Sequence, residues 1–275
     1  MGTLDTGTDD LLGSIEGHVA VLTFNRPHRR NALSTEIYEG FDTALRQLAD
    51  NDDVRVLMVT GNGGAFCAGG DVKGMNERNK SGVSMSMDDR VADLQRRQRG
   101  VSLALYELEI PVIAAVPGAA AGAGLSIALA ADVRLSHKDA IYVTAFANVG
   151  ASGDFGGSWF LTQALGPAKA KELYFTSPRL NAQEAKDLGL VNQILDAPDP
   201  DGFVGEALAW CQDLAQRAPL ALKGMKQNIN RANFVDLPEA LDAEAVNMAS
   251  TMSTADHREA ASAFVEKRTP HFVGE

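Results

Sequence analysis

The sequence predicts an α/β fold, in which buried strands alternate with helices and run into glycine-rich loops ahead of a helical C-terminal region. Three observations carry this reading. Between residues 14 and 60 a strand pair, an amphipathic helix and a further strand follow one another in the order of a crossover unit, so two strands can lie parallel in one sheet. The apolar runs over 54–60 and 111–116 each end in a loop of small residues that leads toward a helix. Beyond residue 200 the apolar spacing is helical throughout.

The elements follow in order. Residues 1–10 are polar, small and acidic and read as a loose end. Ile15, Val19, Val21, Leu22 and Phe24 predict a hairpin over 14–24 that turns near Glu16-Gly17 and is ended by Asn25-Arg26-Pro27. Ser34 reads as the N-cap of a helix over 35–49, with Ile37, Phe41, Leu45 and Leu48 on one face. The strand over 54–60 stops at the turn Gly61-Asn62-Gly63-Gly64. Residues 76–89 are polar and Ser/Met-rich without a clear period, which fits a mobile loop, either the edge of a lid or plain surface. A helix follows from 89 or 90 to 108, then a strand over 111–116, a small-residue loop, and a buried helix over 126–131. Short strands over 132–136 and 140–143 precede a loop over 146–157 that holds Asp154. Helices over 158–165, 167–175 and 181–187 lead to a closing strand over 189–195. Asp196-Ala197-Pro198-Asp199-Pro200 reads as a boundary, giving a core over 1–197 and a helical region over 198–275. The latter carries helices over 203–216, 219–232, 237–250 and 255–267, with apolar stripes broad enough to need a partner surface.

Composition narrows the function classes. Hydrophobic residues make up 45% and charged residues 22%, ordinary for a globular chain able to bury a full core. No run resembles a membrane span or a signal peptide, so the expected location is cytoplasmic, with no membrane partner. A net charge of −11 argues against a general nucleic-acid surface. The two cysteines, Cys67 and Cys211, form no disulfide framework, and the five scattered histidines show no metal-ligand spacing, so no metal site is expected. An anionic small ligand would need a local basic patch, and Arg26, His28, Arg29 and Arg30 supply one.

Two loops stand out. Ala65-Phe66-Cys67-Ala68-Gly69-Gly70-Asp71-Val72-Lys73 follows one strand, and Pro117-Gly118-Ala119-Ala120-Ala121-Gly122-Ala123-Gly124-Leu125 follows another. Small residues let a ligand approach the main chain, and a helix N-terminus offers free N–H groups and a positive dipole end. The same residues also serve tight turns and close helix packing. Asp154, among Gly150, Ser152, Gly153, Gly156 and Gly157, is either a turn former or N-cap or a chemical group.

Together these motifs resemble the crotonase superfamily, the enoyl-CoA hydratase/isomerase fold, over nearly the whole chain. The resemblance rests on Asn25-Arg26-Pro27 leading to Arg30-Asn31-Ala32-Leu33, on Ala65-Phe66-Cys67-Ala68-Gly69-Gly70-Asp71, and on Ala114-Ala115-Val116-Pro117-Gly118 with Gly122-Ala123-Gly124. Ala182-Gln183-Glu184-Ala185 before Gly189-Leu190-Val191, and Phe264-Val265-Glu266-Lys267-Arg268, match as well. The resemblance implies a spiral of ββα units with a C-terminal helical trimerisation region, and a homotrimer or a dimer of trimers. It implies an acyl-CoA thioester as ligand, with coenzyme A carried by the substrate and no separate cofactor. By position, the main-chain N–H groups of Gly70 and Ala123 form the oxyanion hole. Arg30, Ala32, Ala68, Gly69, Asp71, Val72, Ser126 and Phe146 fall at substrate or CoA positions, Arg30 at a CoA phosphate. Lys267, with Phe264, reaches a neighbouring subunit's CoA.

The departures set the expected reaction. Reactions at the α carbon of an acyl-CoA pass through an enolate whose charge sits on the thioester oxygen, where two pre-placed donors stabilise it. The two glutamates that handle water in hydratase members fall at Ser126 and Phe146 here, and neither is a general base at neutral pH. The resemblance places Asp154 at the catalytic aspartate of dienoyl-CoA isomerases, of ring-opening isomerases and of a chlorobenzoyl-CoA dehalogenase. The last also uses a histidine near the position of Arg99, which argues against dehalogenation. A carboxyl beside Phe146 and Phe155 is expected to have a raised pKa suited to shuttling a proton. The leading expectation is a double-bond isomerase with Asp154 as acid and base. The alternatives are a hydratase or hydrolase in which Asp154 activates water, and a silent acyl-CoA binder.

Overall fold

The computed structural model describes residues 2–74 and 85–275. Most of the expected mobile loop over 76–89 lies outside them. In chain order the strands are β1 (Gly2–Thr3), β2 (Leu11–Glu16), β3 (Val19–Phe24), β4 (Val56–Gly61), β5 (Ala65–Cys67), β6 (Val112–Val116), β7 (Ala119–Ala121), β8 (Val133–His137), β9 (Ile141–Val143), β10 (Leu180–Asn181) and β11 (Gln193–Leu195). The helices are α1 (Thr35–Ala49), α2 (Met87–Gln98), α3 (Ala123–Ala130), α4 (Gly157–Thr176), α5 (Ala182–Asp187), α6 (Pro200–Leu214), α7 (Pro219–Arg231), α8 (Leu237–Met252) and α9 (Ala255–Glu266). After α2 the chain continues through a π turn at Arg99–Leu103 into a short helix, Ala104–Glu107.

Two sheets explain the architecture. One runs β1-β2-β3-β4-β6-β8-β11, parallel from β3 onward; the other runs β10-β9-β7-β5. Strands β4 and β5, β6 and β7, and β8 and β9 are thus successive pairs, each giving one strand to either sheet before the chain turns into helix. This repetition is the ββα spiral. Strand β4 shows why its sequence reads as one continuous apolar run. Leu57 and Val59 point into the main core, while Val56 and Met58 point to the opposite face. That second face is covered by Phe203, Ala207 and Cys211 of α6, so both faces are dry.

Helix α1 forms where its residues predict. Ser34 accepts from Ile37 N–H at the N-terminus, and Ile37, Phe41, Leu45 and Leu48 are buried against the sheet. Phe24 packs on Phe41 and Phe66, with ring centroids 5.7 and 5.4 Å apart. Three expectations need correction. The N-terminal end is not loose: β1 pairs with β2, Leu4 is buried, and the Thr6 hydroxyl donates to the Leu11 carbonyl. The helix after the second loop begins at Ala123 rather than 126, because residues 119–121 are a strand and Gly122, at φ 52° and ψ −126°, turns the chain sharply into the helix. The long helix begins at Met87, capped by Ser86, which accepts from Asp89 N–H. Among the described residues no helix is long and apolar enough to cross a membrane.

Candidate active site

The two glycine loops lock into one another. A Cβ on Gly124 would collide with the Cys67 carbonyl, and one on Gly118 with the Gly64 carbonyl. A Cβ on Gly69, whose φ is +82°, would stand 2.6 Å from the Ala121 carbonyl and 3.1 Å from the Ala123 nitrogen. Glycine at these positions therefore brings the first loop against the first turn of α3. The N–H groups can then be accounted for one by one. Ala68 donates to the Arg30 carbonyl (3.0 Å), Gly69 to Cys67 Sγ (3.4 Å) and Gly122 to the Val143 carbonyl (3.0 Å). Among the described residues the N–H groups of Gly70 and Ala123 donate to no one. Ala123 is the first residue of α3, where no intrahelical acceptor exists and the dipole favours negative charge.

The first loop is held by residues that the sequence motifs contained without revealing their task. Buried Asn31, at φ 58°, donates through Nδ2 to the carbonyls of Asn62 (2.9 Å) and Ala65 (2.8 Å), and its Oδ1 accepts from Arg26 N–H (2.9 Å). The Arg26 guanidinium donates to the Ala32 carbonyl (2.6 Å) and lies 3.1 Å from Asp10 and 3.6 Å from Asp71. Leu33 N–H donates to the Gly69 carbonyl, which sets Leu33 beside Gly70.

Asp154 precedes α4 but does not cap it, since the N-cap is Gly156 with no side-chain bond. Asp154 does open a turn, its carbonyl accepting from Gly157 N–H (3.2 Å), but its side chain takes no part in it: Oδ1 is buried without a hydrogen-bond partner among the described residues. Burial alone pushes its pKa up to about 6. Phe155 N–H donates to Gln98 Oε1 (2.8 Å), just before the π turn, and fixes the loop to α2. The Phe155 ring stacks on Tyr38 at 5.8 Å, and Arg97 lies over the other aromatic neighbour's ring, 4.8 Å from the Tyr38 centroid.

The sequence reading overlooked Tyr174. Helix α4 breaks at Gly166 (φ 75°, ψ 163°), ahead of Pro167. In an unbroken helix the rise between Gly157 and Tyr174 would be about 25 Å. Here the second half folds back so that the Tyr174 hydroxyl lies against Gly153 and Gly157. A Cβ on them would come within 3.2 and 2.7 Å of that oxygen. Ser126 Oγ crowds the same side of Gly157, and Phe146 stacks on the Tyr174 ring at 5.7 Å. A tyrosine inside an apolar helical pattern looks like packing, so only the fold-back exposes this placement.

The remaining sequence-predicted residues divide into two groups. Arg30 and Ala32 sit beside the first loop, Arg30 exposed and in the left-handed region at φ 51°. Asp71 accepts from Gly74 N–H (3.0 Å), which with Arg26 and Arg29 holds its carboxyl below the usual range, and Val72 is exposed. Lys267 is not gathered to this cluster. It ends α9, exposed, in an element that packs on α8. An apolar cavity of about 260 Å³ lies against Phe155 and Gly156, with Trp159, Phe160, Tyr106 and Phe234 also lining it, though Asp154 itself does not. Larger hollows of about 660 and 880 Å³ lie along α7–α8 and at the end of α1, and neither touches Asp154, Gly70 or Ala123.

The two-sheet spiral with its facing glycine loops is the architecture of crotonase-fold proteins. An enoyl-CoA hydratase from Polaromonas sp. JS666 superposes with a TM-score of 0.88 at 35% identity, over 96% of this chain and 99% of that one. The enoyl-CoA hydratase/isomerase family model matches residues 14–275, and the chain belongs to that family. It is 34% identical to the 1,2-epoxyphenylacetyl-CoA isomerase of Escherichia coli K12, over 96% of this chain and 98% of the relative. It is also 34% identical to the short-chain-enoyl-CoA hydratase of Clostridium acetobutylicum, over 92% and 93%.

Proposed function

We propose that the protein is an acyl-CoA double-bond isomerase in which Asp154 moves a proton between two carbons of the acyl group. The observation that carries this reading is the half-buried Asp154 carboxyl, whose buried Oδ1 has no hydrogen-bond partner among the described residues and whose pKa is raised to about 6. A base of that strength takes a proton and returns it near neutral pH. Gly70 and Ala123 donate their free N–H groups to the thioester oxygen and hold the charge that the lost proton leaves behind. Arg30, Ala32, Ala68, Gly69, Asp71 and Val72 border the first loop and receive the CoA portion. Lys267 and Phe264 act on a neighbouring subunit's CoA within a trimer or a dimer of trimers. Burial of Ser126 and Phe146 without a carboxylate at either position supports proton transfer over two-acid hydration.

The Asp154→Asn protein is expected to lose about 10²–10⁴-fold in kcat while its affinity for an acyl-CoA stays unchanged. Retained turnover would remove Asp154 from the mechanism. Product identification by mass spectrometry and NMR separates the second reading, in which Asp154 activates water. That reading draws support from the hydratase name of the Clostridium relative. Incubation with a 3-enoyl-CoA and a 2-enoyl-CoA gives a shifted double bond in the first case and a hydroxyacyl-CoA in the other.

A further inference from the structure

Two buried polar atoms near one another lack a close hydrogen-bond partner among the described residues: Asp154 Oδ1 and the Tyr174 hydroxyl. A buried polar group without a hydrogen bond is costly, and its persistence calls for an explanation. The placement of Tyr174 supplies one. Its hydroxyl is cradled by Gly153 and Gly157, which bracket Asp154 in sequence, and any side chain on Gly157 would collide with it and with Ser126 Oγ. Ser126 is three residues beyond Ala123, about one turn or 5 Å along α3. The carbons next to a thioester held at Ala123 N–H would occupy that interval. Ser126 Oγ has a long bond, 3.3 Å, to the Gly122 carbonyl of its own helix and also faces the Tyr174 hydroxyl across Gly157. Phe146 stacks on the Tyr174 ring, 5.7 Å between centroids.

We infer that Tyr174 is a substrate-contacting donor, and that the site takes acyl-CoA thioesters bearing an oxygen atom on the carbons next to the thioester. This rests on the reading that Gly70, Ala123 and Asp154 bind an acyl-CoA. The phenol keeps its proton throughout; it donates one hydrogen bond to a hydroxyl, epoxide or carbonyl oxygen of the acyl group. Burial, with the Asp154 charge nearby and against a smaller opposing effect of the Ser126 hydroxyl, pushes the Tyr174 pKa up to about 12, so the group is a neutral donor at physiological pH. A plain hydrocarbon acyl group leaves that donor unpaired, and a site built around an unpaired donor discriminates against such a ligand.

The test is a binding ratio. Affinities of the whole protein for butyryl-CoA and for 2-hydroxybutyryl- and 3-hydroxybutyryl-CoA are measured by titration calorimetry, for the native chain and for Tyr174→Phe. The native protein is expected to bind one of the hydroxylated thioesters about 10–100-fold more tightly, and the ratio is expected to fall to near one in Tyr174→Phe. A ratio near one in the native protein, or a ratio unaltered by the substitution, overturns the inference. Failure of the underlying reading looks different: either no CoA thioester binds, or Asp154→Asn keeps full turnover.

Discussion

Asn31, buried, and Asp154, half-buried, use their polar atoms in opposite ways. Asn31 satisfies both ends of its amide with three hydrogen bonds that join the 26–32 segment to the turn after β4. Replacing it with alanine leaves two carbonyls and one N–H unpaired, and chemical denaturation is expected to show a loss of about 2–4 kcal/mol. Asp154 leaves an oxygen open, and its titration records that. Its folded pKa, about 6, lies above the ordinary 3.8, so the folded state holds the proton more tightly than the unfolded chain. The stabilising contribution of the protonated form is complete below about pH 4 and is lost as pH rises through 6. Asp154→Asn, which carries no charge, is accordingly expected to exceed the native protein in stability by about 2 kcal/mol at pH 8, with the gap closing toward pH 4. Thermal unfolding across that range measures it. If the ionised carboxylate is the working base, kcat/KM of the native protein rises with pH through a midpoint near 6.

At the scale of elements, legibility followed locality. Helix α1 was readable to the residue because its cap and its apolar stripe lie within its own sequence. The break in α4 was readable because Gly166-Pro167 announces it. Strands β5 and β7 have three residues each and are defined by pairing, so no local pattern marks them, whereas β9, equally short, lies within the strand expected over 140–143. Strand β1 is likewise set by its partner β2. The two glycine loops could be found in sequence, but their interlock could not, because it depends on contacts such as that between Gly69 and Ala123. Substituting Gly69 with alanine tests the interlock. Its added methyl group would push against Ala121 and Ala123 at a left-handed φ, and kcat is expected to fall about 10²-fold, with a smaller change in KM. A variant with native kinetics would show that the loops tolerate separation.

Across the whole molecule, the α7–α8 region presents more apolar surface than a solitary chain needs. Ile229 and Leu237 are each 70% exposed, and Leu241, Val246 and Met248 join them. The sequence showed the breadth of these stripes, and the proposed trimer would cover them. Val246→Glu is expected to shift sedimentation toward smaller species; an unchanged profile would place the contact elsewhere. The reaction was harder to read than the fold, because it depends on which few side chains close around the acyl group. Tyr174 reaches that place only through the whole path of α4. The N–H groups of Gly70 and Ala123, which have no partner among the described residues, belong to the backbone. Apart from proline, which carries no N–H, a substitution at Gly70 or Ala123 keeps the donor itself, whereas a serine or an arginine loses its donor with its side chain. Acids, hydroxyls and aromatic walls around such a pair can therefore change while the two donors stay in place, so long as the glycines that hold the loops together are kept.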